Sequence, residues 1–185
     1  MSRNAFDFFA SSFMRHDRMR MMFDMVSADR LNATRIVDSY DEWTALWHGK
    51  PYISAAADSF DAAVERLHRA NFELWHEEDK ARDVHAGDAA VAGAKRTIDR
   101  INQRRNDQME QCDTLLLEEL AAQNLPSPQA ELHSETPGLM LDRLSILSLK
   151  RYHTLEEIDR SSAPFGHQER NRQRLTILEA QRIDL

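Results

Sequence analysis

Apolar residues recur at three- and four-residue spacing along nearly the whole of this chain, and no segment sustains a two-residue alternation. A helix returns to one face every 3.6 residues and a strand every two, so the spacing commits the chain to helices. Glycine and proline point the same way. With 5 of each in 185 residues, the chain lacks the turn residues that an all-β fold needs every few positions.

Six helical stretches follow from the pattern. The first covers about residues 3–26, and the second about 29–48, ending before Gly49-Lys50-Pro51. The third starts at Asp58 or Ser59, either a good N-cap, and runs to about Arg82. The fourth begins after Gly87-Asp88 and continues to about Gln123, roughly 50 Å of helix at 1.5 Å per residue. The fifth opens at Thr136-Pro137, a capping residue followed by proline at the first helical position, and runs to about Arg160. After the break Ser161-Ser162-Ala163-Pro164-Phe165-Gly166, a short sixth helix reaches the C-terminus. The expected fold is all-α: an antiparallel bundle of about six helices with one long helix (about 88–123). It forms one domain over residues 1–185, with less characteristic N-terminal helices in 1–50 and a motif-bearing core in 58–185.

Charge and cysteine usage narrow the function classes. A formal charge of −7 disfavours nucleic-acid binding, which needs a basic surface to neutralise phosphates. The lone Cys112 leaves no internal disulfide and no Cys-rich zinc site, and it fits a reducing compartment. No apolar run approaches membrane-spanning length. The N-terminal FDFFASSFMRHDRMRMMFDM is broken by Arg15, His16, Asp17 and Arg18, unlike a signal-peptide core. A cytoplasmic protein without a membrane span is the expectation.

Polar residues fall where the helices should be apolar. At about 100° per residue, the third stretch has an apolar arc of Phe60, Ala63, Val64, Leu67, Leu74 and Trp75. Asn71, Glu78 and Arg82 lie inside that arc, with His68 and Asp79 near its edge. Buried polar groups are costly unless paired or used, so these positions are candidates for a site. Glu73 and His76 point to the opposite side. Their E-x-x-H spacing suits a di-iron carboxylate helix, but the chain offers no second such string, and His153-Thr-Leu-Glu156 reverses the order. A surface pair is expected there.

The fourth stretch has an apolar arc of Val91, Ala94, Ile98, Ile101, Met109, Cys112 and Leu116, with Arg105 in its middle. Lys95, Asp99, Asn102, Asn106 and Asp113 form a stripe along one border. Asn and Asp are mediocre helix formers, so the stripe implies a tertiary partner, either a neighbouring helix or a ligand. The fifth stretch is apolar on nearly every side, as in a helix buried between neighbours. Asp142, Arg143, Ser145, Lys150, Arg151 and His153 must share that protected space. They are equipped to bind an anion or move a proton, or to pair with one another. The Phe and Met stripe of the first stretch suits core packing or a dimer contact.

Three strings, LHRANFELWHEEDKARD, KRTIDRINQRRND and ETPGLMLDRLSILSLKRYH, are distinctive together. They resemble a bacterial family of unknown function whose genes often lie beside glycosyltransferase and surface-polysaccharide genes. The resemblance runs from about Leu67 to the C-terminal RLTILEAQRIDL. It implies that Asn71, His76, Glu78, Asp79, Arg82, Lys95, Asp99, Asn102, Asn106, Asp142, Arg143, Lys150 and His153 belong to the family's motifs, and it assigns them no mechanism. It also points to a nucleotide sugar, a sugar phosphate or a glycosyltransferase as partner.

Three functional expectations result. The first is a buried polar pocket for a small anionic ligand in glycan-precursor metabolism. Asn71, Arg82, Lys95, Asp99, Asn102, Arg105, Asn106, Arg143 and Lys150 would hold the ligand, and His153, Glu78 and Asp142 would serve as acid–base residues. The second is a metal-dependent helical-bundle enzyme using His76, Glu78 and Asp79 with His68 and His153, against which stands the helical wheel, which separates His76 from His68 and Glu78. The third is a non-enzymatic module, a homodimer or a glycosyltransferase accessory. No cofactor is indicated, since glycine is too scarce for a Rossmann fingerprint or a P-loop.

Overall fold

A computed structural model of the protein describes residues 32–53 and 59–185. The chain divides into two compact units, residues 1–39 and 40–185. In the first, the Asn32 side chain caps a helix, its Oδ1 accepting from the backbone N–H groups of Thr34 and Arg35 at 2.9 and 3.3 Å. The helix expected over residues 3–26, with its Phe and Met stripe, lies outside the described residues.

Five α-helices and no strands are present among the described residues: α1 (Ala33–Gly49), α2 (Phe60–Ala81), α3 (Asp88–Ala121), α4 (Pro137–Asp159) and α5 (His167–Asp184). Within residues 40–185, α2 pairs with α3 and α4 with α5, and α4 also packs on α2 and α3. This is the expected all-helical bundle. The ends lie where side-chain chemistry places them. The Ser59 hydroxyl accepts from the Ala62 N–H and the Thr136 hydroxyl from the Leu139 N–H, both at 3.3 Å, which satisfies donors that a helix start otherwise leaves unpaired. Gly166, at φ +76°, supplies the left-handed residue that turns the chain into α5.

The α2 arc is buried at Phe60, Ala63, Val64 and Leu67, and α3 contributes Ile98, Ile101, Cys112 and Leu116. From α4 come Leu141, Leu144, Leu147 and Leu149, and from α5 Leu178. Trp47, at the end of α1, joins Phe72 and Leu149, flanked by Trp43, Tyr52 and Trp75. No helix among the described residues is long and apolar enough to cross a membrane.

The N-terminus of α4 lies directly against α3. The Gly138 N–H donates to the Asp113 carboxylate at 2.7 Å, an anion at a helix N-terminus. A Cβ on Gly138 would collide with the Met109 carbonyl oxygen, and backbone cannot swing aside as a side chain can. Gly138→Ala is expected to destabilise the protein by about 1–3 kcal/mol, the usual cost of overpacking, measured as a lower urea midpoint at unchanged slope.

Candidate functional site: a buried polar chain and a histidine cluster

Six polar side chains from four helices form one continuous hydrogen-bonded chain inside the bundle. They are Thr44 on α1, His68 and Asn71 on α2, Arg105 on α3, and Asp142 and Ser145 on α4. The paired positions on α2 and on α4 are each three residues apart, so each pair shares one face of its helix. Proton counting fixes the direction of the chain. Thr44 has one hydroxyl proton and donates it to the Tyr40 carbonyl at 2.7 Å. Its oxygen must therefore accept from His68 Nε2–H at 2.9 Å. His68 Nδ1 is then the acceptor of a neutral imidazole and takes the Ser145 hydroxyl proton at 2.8 Å. Asn71 donates to Ser145 Oγ at 3.0 Å and to Asp142 Oδ1 at 2.9 Å. Arg105 closes the chain on Asp142, Nε to Oδ1 at 2.7 Å and Nη2 to Oδ2 at 2.5 Å, the paired geometry in which guanidinium and carboxylate bind most strongly.

His68 is completely buried and stacks on Tyr40, ring centres 4.5 Å apart. Loss of hydration drives its pKa down to about 3, against a smaller opposing contribution from a backbone hydrogen bond. Burial likewise raises the Tyr40 hydroxyl well above its ordinary range. The side-chain hydrogen bonds of Asn71, Arg105 and Asp142 run to one another and to Ser145.

A second cluster lies one turn further along α1, at its C-terminal end. His48 Nδ1 faces the Thr44 carbonyl at 2.7 Å, and His76 Nδ1 faces the Phe72 carbonyl at 2.9 Å. A carbonyl only accepts, so both Nδ1 atoms carry protons and each neutral ring keeps its Nε2 lone pair. His153 Nδ1 lies 2.8 Å from Glu156 Oε2, while its Nε2 is buried without a hydrogen-bond partner. The three imidazoles are neighbours: ring centres are 5.2 Å apart for His48–His76 and for His48–His153, and 6.0 Å for His76–His153. Trp75 stacks on His153 at 4.6 Å, and Tyr152 on His48 at 4.5 Å. Burial lowers the pKa of His153; the Glu156 carboxylate opposes this, and His48 and His76 add to it. His48, His153 and Glu156 each offer a ligand atom, all within 4.8 Å of one another.

A cleft of about 250 Å³ opens beside this cluster between α2, α4 and α5, lined by Trp75, Lys150, His153, Glu156, Asn171 and Arg174 among others. A larger, more open groove of about 920 Å³ runs between α2 and α3, where Lys80, Arg96, Asp99 and Arg100 surround Ala90, Gly93 and Ala94.

The residues singled out from the sequence separate into several places, and Asp79 borders the small cleft as well as pairing with Arg82. Asn71, Arg105 and Asp142 meet in the buried chain. His153 and Lys150 line the small cleft, and His76 stands beside the former. Glu78 and Asp79 are ion-paired to Arg82 on the exposed end of α2, at 2.5 and 3.5 Å, so the set His76, Glu78 and Asp79 does not converge. Lys95, Asp99 and Asn106 are exposed and Asn102 is half-buried on α3, away from the buried chain except through Arg105. Arg143 is exposed and bonded to Glu135 at 2.5 Å. Glu73, of the E-x-x-H string, pairs with Arg69 and Arg104. His68, expected near the edge of the arc, is at its centre. Thr44, His48, Glu156, Asn171 and Arg174 were not singled out as site residues. His48 and Thr44 have no signal on their own helix, whereas the i,i+3 spacing of His153 and Glu156 was visible.

A family model described as "Protein of unknown function (DUF4254)" matches residues 61–185. The chain belongs to this family. The matched region contains His68, Asn71, His76, Arg105, Asp142, Ser145, Lys150, His153 and Glu156, but not Thr44 or His48. No curated protein and no solved structure matches the chain significantly.

Proposed function

We propose that this protein is a metal-dependent helical protein whose chemistry takes place at a centre formed by His48, His153 and Glu156. The observation that carries the reading is their convergence, one donor atom each within 4.8 Å of the others, from two helices. Two imidazoles and a carboxylate suit zinc, manganese or iron(II) and leave coordination positions for water or substrate. Tetrahedral ligand bonds of 2.0–2.2 Å place donors on one ion about 3.3–3.6 Å apart, so a pair standing at the 4.8 Å bound must close by about 1.2 Å. His48 is exposed, and the Glu156 side chain is 52% exposed, which leaves both free to make that adjustment.

The surroundings support the reading. The Thr44 carbonyl holds the Nδ1 proton of His48 and so presents Nε2, the outer hydrogen bond by which metal-ligating histidines are usually oriented. The lowered pKa of His153 keeps that ring neutral near pH 7, as a ligand must be. His76 completes an imidazole-rich wall. A metal ion here would polarise an oxygen or lower the pKa of bound water. Glycan-precursor metabolism is the proposed setting, on the resemblance of the three sequence strings.

Untagged protein titrated with zinc or cobalt should take up about one equivalent, as a structured donor set does. His48→Ala and His153→Ala should each weaken uptake by about 100-fold or more, given that even outer-shell changes weaken it 10–100-fold. Uptake should decline as pH falls below the ordinary imidazole range, because protons compete for His153. Equal metal affinity in wild type and in both variants would reject this centre.

A further inference from the structure

We infer that the cleft beside the histidine cluster receives a small phosphate group, and that it does so more tightly when the metal is present. The inference rests on the metal-centre reading and adds a ligand class and a coupling between ligand and metal to it. Three facts carry it. First, His153 and Glu156 belong both to the converging donor set and to the wall of the cleft, so a ligand in the cleft lies against the proposed ion. Second, Lys150 and Arg174 line the same wall. Many arginines among the described residues are ion-paired, whereas neither of these two side chains takes part in a hydrogen bond or ion pair among the described residues. Two cations with no acceptor of their own are suited to a doubly charged oxyanion. Asn171, also on that wall, adds an amide to an otherwise ionic site. Third, the space is about 250 Å³, below the roughly 300–1,000 Å³ of pockets that enclose a whole drug-sized ligand. It fits a phosphate group, with the rest of a phosphomonoester left in solvent.

The coupling follows from charge. Asp79, Glu156 and Glu157 also border the cleft and set three carboxylates against its two free cations. Glu157 is engaged by His167 at 2.6 Å and Arg160 at 3.1 Å, and Asp79 by Arg82 at 3.5 Å. Among the described residues Glu156 pairs with His153 alone. Glu156 is therefore the carboxylate that opposes a dianion most directly, and a dication ligated by it would remove that opposition and add positive charge beside Lys150 and Arg174. Lys150 and Arg174 then hold the outer phosphate oxygens while another oxygen completes the metal's coordination. By linkage, phosphate tightens metal binding by the same factor by which metal tightens phosphate binding.

The test is a titration of inorganic phosphate, in the submillimolar range, into full-length protein loaded with cobalt(II) and into the same protein kept metal-free with a chelator. Binding is read by calorimetry in both cases and by the visible cobalt spectrum in the first. At least ten-fold tighter binding to the cobalt form is expected, with a change in the cobalt bands that marks an oxygen entering the coordination sphere. Lys150→Ala and Arg174→Ala should each weaken phosphate binding about ten-fold with cobalt uptake retained, and acetate should fail to match phosphate. Equal binding with and without cobalt, or unchanged phosphate binding in the Lys150→Ala/Arg174→Ala double variant, overturns the inference while leaving the metal centre standing. Equal acetate binding overturns the choice of phosphate. Failure of the wild-type protein to take up cobalt overturns both.

Discussion

Asp142→Ala is expected to lower the unfolding free energy by about 3–5 kcal/mol, the range for removing one partner of a buried ion pair. The Asp142 side chain is 6% exposed and that of Arg105 22%, so the guanidinium left behind has little water to turn to. The loss extends along the chain. Asn71 loses an acceptor, and the amide that orders Ser145, and through it His68, is no longer held on both sides. For a protein of this size each kcal/mol moves the melting temperature by about 2–4 °C, so a fall of roughly 10 °C is expected in a thermal melt. The joint variant Arg105→Met/Asp142→Leu separates the cost of an orphaned charge from the worth of the pair. Apolar replacement of a whole buried pair is often neutral or stabilising, so the double variant should recover most of the lost stability. A loss under about 1 kcal/mol in Asp142→Ala would mean that Arg105 escapes to solvent and that the chain is only weakly coupled.

Acid should destabilise the fold through His68. The residue titrates at about 3 in the folded protein against an ordinary 6.5. Between those values the unfolded chain holds a proton that the folded one does not, so stability falls as pH falls. The contribution is complete above pH 6.5 and is lost as pH drops toward 3. One pKa unit corresponds to about 1.36 kcal/mol, which makes the loss of order 5 kcal/mol over that window. The cause lies in the wiring. Both ring nitrogens are already bonded, one to Thr44 and one to Ser145. A second ring proton would turn the Nδ1 acceptor into a donor facing a hydroxyl that already donates to it. The Tyr40 ring stacked on the imidazole offers no charge in return, and Arg105 already satisfies the Asp142 carboxylate. Urea titrations at half-unit steps between pH 7 and 4 should show the slope in wild type and a flatter profile in His68→Gln, whatever that variant's stability at pH 7. An identical slope in the two proteins would assign the acid sensitivity to other groups. The lowered pKa of His153 adds a smaller effect of the same sign.

Both effects concern residues whose importance was only partly visible beforehand. Asn71, Arg105 and Asp142 stood out because a helical wheel placed each of them among apolar neighbours, and burial there requires a partner. The wheel could not name the partners. Arg105 and Asp142 are 37 positions apart, and Asn71 and Asp142 71 apart, and no local rule connects residues at such distances. Glu78 and Arg82 met the same wheel criterion but lie at the end of α2, where the bundle no longer covers them. A wheel measures angle around a helix and is blind to position along the bundle. Thr44 and His48 were missed because their roles depend on which helix their α1 faces approach. Thr44 is polar among aromatics, and His48 sits in the last turn of its helix like many C-terminal basic residues that serve only the helix dipole.

The sequence by itself determined that this protein is helical, where α2 to α5 begin and end to within a few residues, and that polar groups would be enclosed with the core; it placed the start of α1 near residue 29, whereas the helix begins at Ala33 behind the Asn32 cap. Those properties rest on periodicity, capping side chains and glycine or proline breaks, all read within a few residues of chain. Only the tertiary structure decided that the enclosed polar groups divide in two. One set is a closed chain of mutually satisfied hydrogen bonds, and the other is a histidine cluster with a spare nitrogen, a reachable carboxylate and a cleft beside it. The difference depends on how α1, α2, α3 and α4 meet across the bundle, where an offset of one turn, about 5.4 Å, would exchange one set of partners for another.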